Sequence, residues 1–96
     1  LTMAIAPTSP EILEQWLADH VEWQVEHGKL RRSFRFDNFV TAFGFMAKVA
    51  LLAEKQDHHP EWFNVYGRVD IALVTHDVNA ISERDLMLAD AIEGLV

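Results

Sequence analysis

Hydrophobic residues recur along the chain with two alternating periods, which predicts helices alternating with paired strands. A first helix is expected to begin at Ser9-Pro10, because the serine hydroxyl can accept a bond from a free N–H and proline at the first helical position needs no donor. The helix is predicted to end near His20. Its apolar face consists of Leu13, Trp16 and Leu17.

The following segment alternates apolar and polar residues at the period of a half-buried strand, which predicts a β-hairpin. The stretches "WQVEH" and "LRRSFRF" flank a turn predicted at Gly28-Lys29. The apolar residues of the second strand are Leu30, Phe34 and Phe36, whereas the basic stretch around Arg31 and Arg35 is most simply a solvated strand face.

A long central helix is predicted next, capped by Asp37 or Asn38 and ending near Gln56. Its apolar stripe is expected to contain Phe39, Phe43, Met46, Ala50 and Leu51.

A second hairpin is predicted from "WFNVY" and "VDIALVT", joined at Gly67-Arg68, where the glycine can supply the positive φ of a tight turn. One face of its second strand consists of Val69, Ile71 and Leu73.

The last helix is predicted to begin with a capping box, in which Ser82 caps the helix and Asp85 returns the bond. Its apolar stripe of Leu88, Ala91, Ile92 and Leu95 could pack on its own sheet, on a second copy or on a foreign helix. The predicted order is α-β-β-α-β-β-α, which is typical of an α+β fold with a four-stranded antiparallel sheet covered on one face by three helices. We expect one domain over residues 1–96, with residues 1–8 flexible.

Composition narrows the function classes. Fifteen acidic against eight basic residues give a net charge of -7, which disfavours binding to nucleic acid and to anionic membranes. The absence of cysteine excludes thiolate chemistry and Cys-based zinc sites. The longest apolar run, interrupted by Lys48, is too short for a membrane span, and no signal peptide is visible.

Candidate chemistry centres on the stretch "EKQDHHPEWF" and on His76. Because an antiparallel hairpin returns the chain to its starting side, the loop with His58 and His59 should lie beside the loop with His76. Histidines that converge in a cleft suit acid/base catalysis near neutral pH. Glu54 is a further candidate, since a negative charge near a helix C-terminus is not there for helix stability.

Other interpretations remain open for several of these residues. The capping box alone accounts for Asp85, and Trp62 could serve in core packing. A metal site is disfavoured because adjacent histidines diverge in an extended chain and no His-x-His or His-x-x-x-His pair is present. His20 and His27 have no partners in sequence and are expected to be structural or solvated.

The segment from about Trp23 to the C-terminus, with "AEKQDHHPEWFNVYGRVDIALVTHD" and then "SERD", resembles the pterin-4a-carbinolamine dehydratase family, also known as dimerisation cofactors of a hepatocyte homeodomain factor. The resemblance implies one antiparallel sheet with three helices on one side. It also implies removal of water from 4a-hydroxytetrahydropterin to give quinonoid dihydropterin, without a metal or organic cofactor.

By this resemblance His58, His76 and Glu54 correspond to catalytic positions, and a substrate-binding group is formed by His59, Pro60, Trp62 and Asp85. It further implies a homodimer or homotetramer, a functional link to an aromatic amino-acid hydroxylase and a pterin-recycling role in the cytoplasm. Ala80 stands where the family usually has glycine, so strain at Ala80 would displace the loop before Asp85. The alternative function is a protein-binding module, because animal members act as transcriptional coactivators that stabilise a partner's dimerisation helices.

Overall fold

The computed structural model describes residues 4–96 and contains three helices and four strands in the predicted order. The helices are α1 (Pro10–Asp19), α2 (Phe39–Gln56) and α3 (Glu83–Glu93). The strands are β1 (Gln24–Glu26), β2 (Lys29–Arg35), β3 (Glu61–Val65) and β4 (Arg68–Leu73). Of residues 1–8, predicted to be flexible, residues 1–3 lie outside the described part of the chain.

The four strands form one antiparallel sheet in the order β1-β2-β4-β3. Cross-strand pairs such as Leu30 with Leu73 and Phe34 with Val69 place apolar side chains on one face, where the helices cover them. The α+β fold is therefore confirmed. Within residues 4–96, no helix is long and apolar enough to cross a membrane.

Both hairpin turns lie one residue earlier than predicted. In the first turn His27 and Gly28 have φ values of 53° and 74°, which matches the backbone required of a two-residue connection. In the second turn Tyr66, not Gly67, has the positive φ, at 49°. Glycine is required at position 67 for another reason, since a Cβ there would overlap the carbonyl oxygen of Phe36.

Helix α2 has the predicted bounds, with Asn38 as its N-cap, but the predicted apolar stripe is wrong. The buried face consists of Ala42, Phe45, Val49 and Ala53. Most of the predicted stripe points to solvent; Phe43, for example, is 57% exposed. Alanines on the buried face let α2 approach α3 and β4 closely, and this packing decides the helix orientation.

Helices α1 and α3 begin as predicted. Ser9 accepts a bond from the Ile12 N–H, and Ser82 with Asp85 forms the complete capping box of α3. The apolar stripe of α3 packs on the protein's own core, because Leu88 and Ile92 have no exposed surface. Of its other two members, Ala91 is half-buried, and Leu95 lies beyond the end of the helix but still contacts the core.

The segment before α1 pairs with the loop that leads into α3. Pro7 forms an isolated antiparallel bridge with Ser82, and the Thr8 N–H donates to the Ile81 carbonyl at 2.9 Å. This pairing fixes the chain beside the capping box, at the same end of the sheet as the histidine loops.

Candidate active site

His58 is held in a buried position at the end of α2. Asp57 adopts a left-handed conformation as the C-cap, and the His58 N–H donates to the Ala53 carbonyl at 3.0 Å. The chain therefore turns sharply, and the His58 ring points inward with only 8% of the residue exposed. Its Nε2 lies 2.5 Å from Oδ1 of Asp85, which is 27 residues away in sequence.

Asp85 has 0% exposure and accepts hydrogen bonds at both oxygens. Its Oδ2 receives the Ser82 N–H at 2.9 Å and the Thr75 hydroxyl at 2.8 Å. The Thr75 hydroxyl is also 2.6 Å from the hydroxyl of Ser82. One buried carboxylate thus caps α3 and binds His58 at the same time.

His59 and Glu54 form a second pair on the surface. Their Nε2 and Oε1 atoms lie 2.8 Å apart, and both side chains are largely exposed. The rings of His58 and His59 diverge, as expected where the second residue precedes a proline. The arrangement leaves Glu54 accessible near the C-terminal end of α2.

His76 is 74% exposed and faces Glu61, with Nε2 3.5 Å from Oε2. The other Glu61 oxygen lies 2.6 Å from Nζ of Lys29 on β2. The hydrogen bond from Lys29, with smaller contributions from the charges of Lys29, His76 and Arg31, outweighs desolvation and holds the pKa of Glu61 below its ordinary value. An ionised carboxylate therefore lies beside His76.

The remaining predicted residues, Pro60 and Trp62, follow the two adjacent histidines in the sequence and lead into β3. Pro60 is half-buried between the histidines and β3. Trp62 lies opposite Ile71 on β4, on the core-facing side of the sheet, yet part of its ring is exposed because β3 is an edge strand.

The two loops expected to lie together do so. Thr75 directly precedes His76, and it binds the same carboxylate as His58. The structure thus places His58, His59 and His76 at one end of the sheet, but each ring has a different acidic partner. Within residues 4–96, no group of three or more His, Cys, Asp or Glu side chains is arranged to hold a metal ion.

Ala80 does not bear the expected strain. The positive φ of this loop, 51°, belongs to Asn79, a residue type that tolerates the left-handed region. Ala80 instead exchanges backbone hydrogen bonds with Thr75. The loop therefore leads into the capping box of α3, in which Asp85 is the N3 residue.

Sequence reasoning missed three contributors to this site: Thr75, Ser82 as a partner of Thr75, and Glu61. For Glu61 the local signal was only its place directly before the strand predicted to begin at Trp62, whereas the structure includes it in β3, opposite Ala72. For Thr75 none existed, because its partners become neighbours only through the fold.

An α+β sheet protein with a buried His–Asp pair and two further histidines at one end of the sheet has the features of an acid/base enzyme. Comparison with known proteins identifies the family. The family model for pterin 4 alpha carbinolamine dehydratase matches residues 6–95. The chain therefore belongs to this family.

Individual relatives agree with this assignment. Two of these relatives carry the name pterin-4-alpha-carbinolamine dehydratase; one is from Prochlorococcus marinus strain MIT 9303 and the other from Rhizorhabdus wittichii. The first is 63% identical over 73 residues, covering 76% of each chain. The second is 48% identical over 95 residues, covering 97% of this chain and 98% of the relative. A crystal structure described as a transcriptional coactivator/pterin dehydratase from Brucella melitensis superposes with a TM-score of 0.88 at 43% identity, covering 94% of this chain and 98% of that one.

Proposed function

We propose that this member of the family removes water from a 4a-hydroxytetrahydropterin by histidine acid/base catalysis centred on His58. Family membership and the names of the relatives support the dehydratase activity. The observation that carries the proposed mechanism is the burial of His58 against Asp85, because a desolvated imidazole beside a carboxylate is suited to exchanging protons with a bound substrate.

The reaction needs two proton transfers. The hydroxyl on carbon 4a leaves as water after it is protonated, and the N5 proton is removed as the C4a=N5 double bond forms. We assign these transfers to His58 and His76, with Glu54 as a third catalytic group, and leave open which histidine is the acid. The nitrogen lone pair of the substrate expels the leaving group, so no further cofactor enters the proposal.

Substrate binding is assigned to the residues around these groups. His59 is exposed and its Nε2 is oriented by Glu54, so its other ring nitrogen, Nδ1, can bind a pterin heteroatom. Pro60 and the exposed part of Trp62 form an apolar border suited to a flat heterocycle. Asp85 was expected in this binding group. Since its side chain has no exposed surface, we propose that it acts on substrate only through His58.

The decisive experiment measures 4a-carbinolamine dehydration by ultraviolet absorbance while a hydroxylase generates the intermediate. We expect His58→Ala and His76→Ala each to lower kcat by about 100-fold, the loss typical for a general acid or base. His27→Asn is the matched control, because His27 is exposed in a turn with positive φ that asparagine tolerates, and its rate should equal that of wild type. A wild-type protein that does not accelerate the spontaneous reaction would contradict the proposal.

The metabolic setting follows from the substrate. We propose that the enzyme recycles the pterin cofactor of an aromatic amino-acid hydroxylase and resides with it in the cytoplasm. The natural pterin can be identified by comparing kcat/KM for intermediates that differ in the side chain of the pterin ring.

We further propose self-association through the outer face of α2, which we define as Phe39, Val40, Phe43 and Leu51. All four side chains are substantially exposed, and a contiguous apolar surface on a monomer typically marks an interaction site. A homodimer or homotetramer would cover this face.

A second candidate function uses the same outer face of α2. The Brucella melitensis relative is described as a transcriptional coactivator as well as a dehydratase. A partner's amphipathic helix could bind an exposed helical face of this kind. Sedimentation velocity separates the two possibilities, because a protein that is monomeric at micromolar concentration would leave the face free for a foreign helix, whereas a stable oligomer would not.

A further inference from the structure

We infer that Thr75 and Ser82 are positioning residues that hold His58 in one tautomer and so select Nδ1 as the nitrogen that meets the substrate. The inference deepens the proposed function, on which its catalytic part rests. The structural part depends only on the hydrogen bonds around Asp85.

The hydrogen bonds around Asp85 can run in only one direction. The Thr75 hydroxyl has a single proton, which it donates to Oδ2 of Asp85 at 2.8 Å. The 2.6 Å contact between the two hydroxyls must then be donated by Ser82. The Ser82 oxygen is in turn an acceptor, for the Arg84 N–H at 3.2 Å. Protons therefore point from the first turn of α3 through Ser82 and Thr75 to the carboxylate.

Asp85 is left as a pure acceptor toward His58. Its Oδ2 already receives two donors, the Thr75 hydroxyl and the Ser82 N–H, and therefore acts only as an acceptor. Its Oδ1 therefore accepts a proton from Nε2 of His58 across 2.5 Å. The bond at one imidazole nitrogen fixes the role of the other.

Nδ1 of His58 is the nitrogen that remains available. Within residues 4–96 it has no hydrogen-bond partner. It is also not fully buried, so a ligand can reach it. In the neutral ring Nδ1 has a free lone pair and can accept the substrate proton. In the protonated ring it can donate to the leaving hydroxyl while Asp85 stabilises the positive charge.

Thr75→Val tests this arrangement, since valine has nearly the same shape as threonine but no hydroxyl, and Thr75→Ser is the matched control that keeps it. We expect Thr75→Val to lower kcat by about 10-fold to 100-fold with little change in KM, because the reacting nitrogen is misplaced. Thr75→Ser should retain activity close to wild type. Ser82→Gly provides a second test, because glycine is still an acceptable N-cap but cannot donate to Thr75.

The tautomer is measured directly by two-bond ¹H–¹⁵N NMR of the histidine rings, without substrate. We expect His58 to show the Nε2–H form in the wild-type protein and a mixture of tautomers in Thr75→Val. Circular dichroism should show that the wild-type protein and Thr75→Val are both folded. A wild-type Nδ1–H form would overturn the inference. So would a Thr75→Val protein with an unchanged ring spectrum and unchanged kcat.

The two proposals fail differently. If the wild-type protein has no dehydratase activity but His58 is in the Nε2–H form and shifts in Thr75→Val, the proposed function is wrong and the positioning chain stands. If activity is present and depends on His58 but Thr75→Val leaves it intact, the function stands and the positioning role is wrong.

Discussion

Removing the carboxylate of Glu93 should strongly destabilise the fold, because two other groups depend on it. Arg32 on β2 points to the core side of the sheet, opposite Ile71, and its side chain is only 16% exposed. Its guanidinium binds Oε1 of Glu93 at the end of α3. The same oxygen accepts the Trp23 indole N–H at 2.6 Å.

The size of the effect follows from burial. Breaking a buried ion pair by removing one partner costs about 3–5 kcal/mol, because a desolvated charge is left unpaired. The Glu93 side chain is 30% exposed, so water can partly reach the site, and we reduce the estimate for Glu93→Ala to about 2–3 kcal/mol. For a protein of this size each kcal/mol lowers Tm by about 4–8 °C, so we expect a decrease of about 8–24 °C.

Urea unfolding followed by circular dichroism provides the free energy of unfolding for each variant. Glu26→Ala is the control, because Glu26 pairs with Arg31 at 3.5 Å on the exposed strand surface, where such pairs contribute about 0–1 kcal/mol. The double variant Arg32→Met, Glu93→Leu should recover the part of the lost stability that is due to the unpaired charge, although the Trp23 indole N–H still loses its acceptor. A cost below about 0.5 kcal/mol for Glu93→Ala would refute the reasoning, because surface substitutions have effects of that size.

Two further predictions concern the pH dependence of stability and self-association. Burial raises the pKa of Glu93, but the hydrogen bonds from Trp23 and Arg32 outweigh it and hold the pKa below the ordinary 4.5. The stabilisation is therefore present above about pH 4.5 and is lost as pH falls through the lower folded-state pKa, so Tm should fall on acidification and Glu93→Gln should flatten that fall. Phe43→Glu should reduce the mass of the oligomer measured by sedimentation. Val21 is also exposed but lies outside α2, so Val21→Glu should leave that mass unchanged. Equal masses for the two variants would exclude the outer face of α2 as the contact.

The bounds of the helices and the faces of the strands follow closely from the sequence, because caps and alternation act locally. Ser9, Asn38 and Ser82 each cap the helix predicted for them. The buried face of α2 does not follow, since α2 is apolar around most of its circumference. The sequence prediction chose the face with Phe39 and Phe43. In the structure, close packing against α3 instead buries the face that contains Ala42 and Ala53.

The site was predictable only in outline. Hairpin geometry places the histidine loops together, but the partner of each ring depends on tertiary contacts. The capping box accounts for Asp85 so completely that its second bond, to His58, has no separate sequence signal.

Arg32, outside the site, did carry a sequence signal, because a charge at the core-facing position between Leu30 and Phe34 requires a buried partner.

The double use of Asp85 links the chemistry of His58 to the opening of a helix terminus. When the first turn of α3 frays, Ser82 and Thr75 leave Oδ2, and the carboxylate that orients His58 is no longer fixed. Because such coupling is reciprocal, any ligand that binds His58 in its oriented form must also slow hydrogen exchange at the amides of that turn. The amide of Asp85 itself, which donates to the Ser82 carbonyl at 3.0 Å, is thus a backbone reporter of occupancy at a side chain 27 residues away.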